Sequence, residues 1–437
     1  MKIRCPGAVR GAALALSWCL GTGQASAVAL DPATLPSRLL PTSGPSGAEA
    51  RYLAGLRAVT ENKLDDADRA FRGCLEVAPK AAACMLGVAT VAADRGNRDE
   101  SGKWIERAAA AEPDNPYAQA SLGRWHAVNG RIEQAIAALE KAARLDPRAV
   151  RPRVDLGDIY LTNGDLDRAI GKYREALAID DSHAGAHYAL GAALTRRGDA
   201  TGATREFKRA TELAPGNPLP ALELARLYSA AGDLKEAERY AREAVKIQPT
   251  LVPARLALGQ ILESTGRYDE AMRQYRDMAA ANPRLAAPHF HIGALLHRKG
   301  DLTGAAAEYD KALKNDPAFA PALNNLASIE LTRNGAPAAA EALARKAVAA
   351  APGVAAYHDT LAEILKARGN AKAALVEQQE AVRLEPGNPV YLARVGTLQS
   401  QLGQKKEAAA SLSRALQMSN SFPGADEARS LLESLKR

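Results

Sequence analysis

The residues best equipped for chemistry in this chain are its histidines, its cysteines and its closely spaced carboxylates. His183 and His187 are one helical turn apart, and His289, His291 and His297 cluster in sequence. Imidazoles at such spacing are part of a zinc site, which needs three or four converging ligands with their outer nitrogens held by further partners. Neither group brings a full set. Hydrolytic and phosphoryl-transfer chemistry have their own spacings, and the chain carries none of them: no HExxH, no glycine-rich phosphate loop, no GxSxG and no GxGxxG. Asp155 and Asp158 are a carboxylate pair of the kind used in acid–base catalysis, but charged helices supply such pairs by chance. No nucleophile stands with a base beside it. The sequence therefore predicts no catalytic, cofactor-binding or metal-binding residues.

The elements that carry these residues repeat. Gly96, Gly130, Gly164, Gly198, Gly232, Gly266 and Gly300 fall 34 residues apart, and after a one-residue slip Gly335, Gly369 and Gly403 continue the series. Pro79, Pro113, Pro147, Pro215, Pro249, Pro283, Pro317, Pro352 and Pro386 mark the same beat seventeen residues later, with Asp181 in the one place where proline is missing. A fixed period of this size marks a stack of helical hairpins. The segment from Ala184 to Asn217 shows how one unit is written. Tyr188, Leu190 and Leu194 recur at helical spacing, and Gly198 ends that helix because glycine takes positive φ without steric cost. Asp199 caps the next helix, Ala203, Phe207 and Ala210 form its apolar stripe, and Pro215 stops it. Asn217-Pro218 then opens the next unit, as Asn115-Pro116 and Asn388-Pro389 do elsewhere.

The recurring residues resemble the tetratricopeptide repeat family, whose pattern is Leu-Gly and Tyr in the first helix, then Ala, an aromatic, Ala and Pro in the second. The unit from Val150 to His183 shows Leu156-Gly157, Tyr160, Ala169, Tyr173 and Ala176; the unit from Ala286 to Phe319 shows Ile292-Gly293, Ala305, Tyr309, Ala312 and Pro317. The resemblance implies an all-α, right-handed superhelical solenoid. Eleven units span 48–422, with one extra residue near Asn334-Gly335, and 423–437 forms a capping helix with Ala428, Leu431, Leu432 and Leu435 as its stripe. It also implies a packing role for His187, His289 and His358, which share the early position where the family often has a large residue.

In the family, the first helix of each repeat lines a concave groove that holds peptides or proteins. The resemblance thus implies a partner-binding groove carrying Tyr117, Arg124, Asp158, Tyr188, Arg226, Phe290, His297, Asn324, Asn325 and Glu363, with Asp155 and Arg394 among their neighbours. Aromatic rings give contact area at low entropic cost, and arginine pairs with carboxylates in a fixed fork.

Residues 1–27 read as an export signal: Lys2, Arg4 and Arg10, a short apolar run from Gly11 to Leu20, and Ala25-Ser26-Ala27 before cleavage at Val28. Cys19, after Leu16-Ser17-Trp18, offers lipidation as the alternative, although Trp18 is bulkier than that pattern wants. Residues 28–47, rich in Pro, Ser and Gly, read as a flexible leader. Removing the signal takes three basic residues from a net charge of +7, and the remainder is too weak and scattered to argue for nucleic acid. No later stretch is apolar and long enough to span a bilayer. Cys74 and Cys84 remain, five residues either side of Pro79. In an oxidising compartment they read as a disulfide staple near one end of the array; two small buried residues fit the same places.

These features lead to an exported, periplasmic, non-catalytic protein-binding scaffold, with self-association open. Family resemblance implies envelope assembly roles: polysaccharide export, outer-membrane biogenesis, cytochrome maturation or chaperoning. The alternative is a non-catalytic accessory subunit of a separate envelope enzyme or polysaccharide-export machine, lipid-anchored if Cys19 is modified. A catalytic domain within the chain is not expected, because the repeats run almost to its end.

Overall fold

The computed structural model describes residues 46–334 and 337–436. The export signal, Cys19, most of the leader and Gly335 lie outside these residues. Among the described residues the chain is 23 α-helices and no strand: eleven hairpins of a first and a second helix, followed by a closing helix, Ala425–Lys436. The first helix, Ser46–Thr60, starts two residues before the expected leader boundary. The fold is an all-α repeat solenoid. It divides into two compact units, one ending at Leu227 and one beginning at Tyr228.

Local chemistry sets each boundary. In repeat five the first helix, Ala184–Arg197, ends on Gly198 at φ 89°, whose N–H reaches back to the carbonyls of Leu194 and Thr195. Asp199 then caps Ala200–Leu213 by accepting the Gly202 N–H at 2.8 Å. The same positive φ recurs at nine of the ten beat glycines, Gly335 being the tenth and undescribed. In repeat one Asn62 fills the position at φ 58°, asparagine being among the few side chains that tolerate this region. Asn115 and Asn388 each accept backbone N–H groups at the start of the following helix.

Small residues let the helices approach. Ala203 and Ala210 flank Phe207, all at 1% exposure or less. The glycine of the Leu-Gly pair lies against the second-helix ring: a Cβ on Gly157, Gly191, Gly259 or Gly293 would sit within 3.0 Å of Tyr173, Phe207, Tyr275 or Tyr309 respectively. Within each unit the second helix of one repeat also packs on the first helix of the next, as Leu166–Ile179 does on Ala184–Arg197, so the core is a chain of local cores. At the C-terminal end Ala428 and Leu432 cover Leu392, Ala393, Leu412 and Ala415.

The first junction carries the cysteines. Cys74 in Leu64–Val77 and Cys84 in Ala82–Asp94 are joined, Sγ to Sγ, with Cα atoms 6.1 Å apart. Both are fully buried beside Tyr52, Phe71, Val88 and Val91.

Candidate binding face

The first helices of both units provide the side chains of the candidate site. In the N-terminal unit, Arg124 (Pro116–Val128) reaches Asp155 of the next first helix (Arg151–Thr162) at 3.2 Å, and Arg151 holds the other Asp155 oxygen at 2.8 Å. Asp155 is thus neutralised twice. Asp158, one turn on, accepts the Tyr173 hydroxyl at 2.7 Å. Burial pushes its carboxyl up to about 7, with neighbouring Asp155 adding to the rise and the Tyr173 bond opposing it. Tyr188 lies on Phe207 with ring centres 5.6 Å apart. Arg226 is exposed and pairs with Glu223 of its own helix at 2.8 Å. Tyr117 sits in the first turn of its helix, its N–H donated to Asn115.

In the C-terminal unit an aromatic cluster forms on Ala286–Arg298. Phe290 packs on Tyr309 and Phe319, and His291 stacks on Tyr275 at 4.7 Å. Burial lowers the His291 imidazole to about 4. The Tyr275 hydroxyl donates to Glu263, and burial followed by that bond pushes the phenol up. Asn325 donates to the Tyr309 hydroxyl at 3.1 Å and accepts from Asn324 at 3.3 Å, while the buried Asn324 Oδ1 has no hydrogen-bond partner. Glu363 and Asp359 both bind Arg394 of the next first helix, Glu363 at 3.0 Å. His297 lies in the last helical turn, its carbonyl accepting the Gly300 N–H.

The face therefore brings Arg124 to Asp155, Asn324 to Asn325 and, through Tyr309, to Phe290, and Glu363 to Arg394. It pairs Arg226 with Glu223 of the same helix, and among the described residues it does not bond Tyr117 or His297 to the other groove residues named from the sequence. Sequence reasoning missed Glu263 and the reach of Tyr173, Tyr275 and Gln378 from the second helices. The available signal was a polar atom at a position that sister repeats fill with Phe or Leu.

The histidines expected to pack are buried or half-buried and do more than fill space. His187, His289 and His358 place Nδ1 2.7 Å from Glu206, Glu308 and Glu377, each nineteen residues on. His187 and His358 also place Nε2 near the carbonyl six residues back, that of Asp181 and Pro352. Gln119 and Arg255 reach the carbonyls of Pro113 and Pro249 from the same repeat position. The position thus ties a repeat to the turn that precedes it. Among the described residues no group of three or more His, Cys, Asp or Glu is arranged to hold a metal ion. No described helix is long and apolar enough to cross a membrane.

Helical hairpins of 34 residues, glycine-seated rings and a polar first-helix face define the class: an α-helical repeat protein built around a face for partners. Family models described as tetratricopeptide repeat match residues 45–116, 120–184, 154–218 and 289–355, more than half of the chain, and a second such model matches 194–249 and 229–291. The chain belongs to the tetratricopeptide repeat family, whose members bind protein partners and are generally non-catalytic scaffolds. Comparison with curated proteins finds no match. Similar solved structures include the Cut9–Hcn1 hetero-tetramer of the APC/C (12% identity, 90% of this chain and 97% of that one, TM-score 0.49). Yeast Tom70 is another (16%, 89% and 95%, 0.46). A third is YrrB, titled a TPR protein with an unusual peptide-binding site (25%, 43% and 97%, 0.38).

Proposed function

We propose that this protein is a non-catalytic scaffold of the bacterial cell envelope that holds a peptide or protein partner against its first-helix faces. The observation that carries the reading is the organisation of those faces. Ion pairs link successive first helices (Arg124 to Asp155, Asp359 and Glu363 to Arg394), while the aromatic groups Tyr188 and Phe290 lie on other first helices. Pre-ordered side chains lower the entropic cost of binding. The basic start, the short apolar run and Ala25-Ser26-Ala27 in residues 1–27 support export.

The test is site-specific photo-cross-linking in the native envelope. A cross-linker at Tyr188 or Phe290 should capture a short, reproducible set of proteins, and one at Val376, which is 64% exposed on a second helix, should not. Capture from a cross-linker at Tyr188 should fall when Arg226 and Phe290 are changed together to alanine. Equal capture from both faces would overturn the reading. Intact mass of the secreted protein should correspond to a chain starting at Val28; a lipid-modified Cys19 would replace the soluble periplasmic form with an anchored one.

A further inference from the structure

In ten of the repeats the register is uninterrupted, and one second-helix position lies at the centre of the hairpin core. Its occupants are Phe71, Ile105, Leu139, Tyr173, Phe207, Ala241, Tyr275, Tyr309, Gln378 and Leu412, all at 1% exposure or less. Packing alone is satisfied there by Phe, Ile or Leu. Burying a hydroxyl or an amide in their place is costly unless it finds a partner. Wherever this position has a polar atom, that atom ends on a first-helix side chain. Tyr173 reaches Asp158 at 2.7 Å, Tyr275 reaches Glu263, Tyr309 meets Asn325 at 3.1 Å and Gln378 donates to Asp359 at 2.9 Å. The tyrosines pass beneath Gly157, Gly259 and Gly293, where the missing Cβ leaves room for the ring.

We infer that Tyr173, Tyr275, Tyr309 and Gln378 are positioning residues of the binding face, orienting Asp158, Glu263, Asn325 and Asp359 from the layer behind it. The inference rests on the proposed binding function and specifies it. The phenol of Tyr309 takes one Asn325 N–H, Asn325 Oδ1 takes the Asn324 amide, and Asn324 Oδ1 is left as an acceptor without a donor. Tyr173 and Tyr275 donate to carboxylates, and a carboxylate so held keeps further lone pairs for donors. The carboxylates oriented from behind in repeats four and seven therefore present acceptors, which suits a partner segment that supplies N–H or ammonium donors. Repeat ten differs, since Asp359 already holds Arg394.

The experiment uses the full mature chain and needs no ligand for its first arm. The Asp158 carboxyl is titrated by carbon-13 NMR in wild type, in Tyr173→Phe and with 3-fluorotyrosine at 173. Loss of the hydroxyl should raise the Asp158 midpoint by about 0.5–1 pH unit, the equivalent of one hydrogen bond. The more acidic fluorophenol, a stronger donor, should lower it while keeping the ring in place. A tyrosine that serves packing alone would leave the midpoint unmoved in both, and that result overturns the inference even if Tyr173→Phe unfolds, since the fluorinated chain remains. The second arm repeats the cross-linking from Phe290 with Tyr309→Phe. Reduced capture by a folded variant supports the positioning role; undiminished capture removes it and leaves the scaffold intact. Failure of wild type to capture anything sinks the scaffold reading, while the titration still decides whether the face is oriented from behind.

Discussion

Single residues show where this chain departs from what its repeats require. Ser101 occupies the position at which Ala67, Ala135, Ala169 and Ala203 are fully buried. It is 2% exposed and its hydroxyl has no hydrogen-bond partner. Ser101→Ala should therefore stabilise the protein by about 1 kcal/mol, read as a higher urea midpoint; a lower midpoint would show that the hydroxyl is satisfied in solution. Asp158 makes a second case. Its folded carboxyl titrates near 7, above the ordinary value near 4. Between those values the folded state binds the proton more tightly than the unfolded chain, so stability falls as pH rises through the window and the loss is complete above it. Asp158→Asn should be more stable than wild type at pH 8, by roughly 1–3 kcal/mol, and indistinguishable from it near pH 4. Equal stability at both pH values would place Asp158 in ordinary solvent. The sequence identifies Asp155 and Asp158 as a pair, but their division of roles is not legible in it. That depends on Arg124 and Arg151 converging on one and Tyr173 on the other, contacts that only the folded hairpin creates.

At the scale of the element, glycines look alike in the sequence and do opposite things. Gly157 faces the Tyr173 ring with no room for a methyl, whereas Gly171, on the exposed side of the same repeat's second helix, has nothing within 4 Å. Gly157→Ala should cost about 1–3 kcal/mol through overpacking. Gly171→Ala should gain up to about 1 kcal/mol through helix propensity. Thermal melts of the two variants should move in opposite directions, and a shared direction would mean that the hairpin seam is not as tight as described. Helix starts and stops were readable because caps act over three or four residues: Asp199, Asn115 and Gly198 need no distant partner. The His–Glu ties were not, because His187 and Glu206 stand on different helices nineteen residues apart. The sequence marks His187 as large and inward, and nothing nearby in the chain discloses the carboxylate.

For the whole molecule, periodicity carried the fold: the spacing of glycine and proline sufficed for eleven hairpins because each hairpin touches only its neighbours. Excision of 184–217, one full period, should leave a helical and cooperatively folded but less stable protein. Excision of seventeen of those residues should reduce helicity well beyond its share, since two second helices or two first helices would then be joined in series. Equal circular dichroism loss per residue removed would contradict a local core. The binding face was legible only as positions, because the identity of what each position touches depends on the packing between helices. The buried bridge at the first junction has a consequence for how the chain responds to load. The cysteines are ten residues apart in sequence while their Cα atoms are 6.1 Å apart. Pulled from the outer ends of repeats one and two, the pair should come undone with roughly 30 Å of length withheld at the junction, the reach of about ten extended residues less the span of the bridge. A reductant should restore that length in a single-molecule extension trace. Tension arriving at this end would meet a stop between the first repeat and the second, where every later junction can only slip.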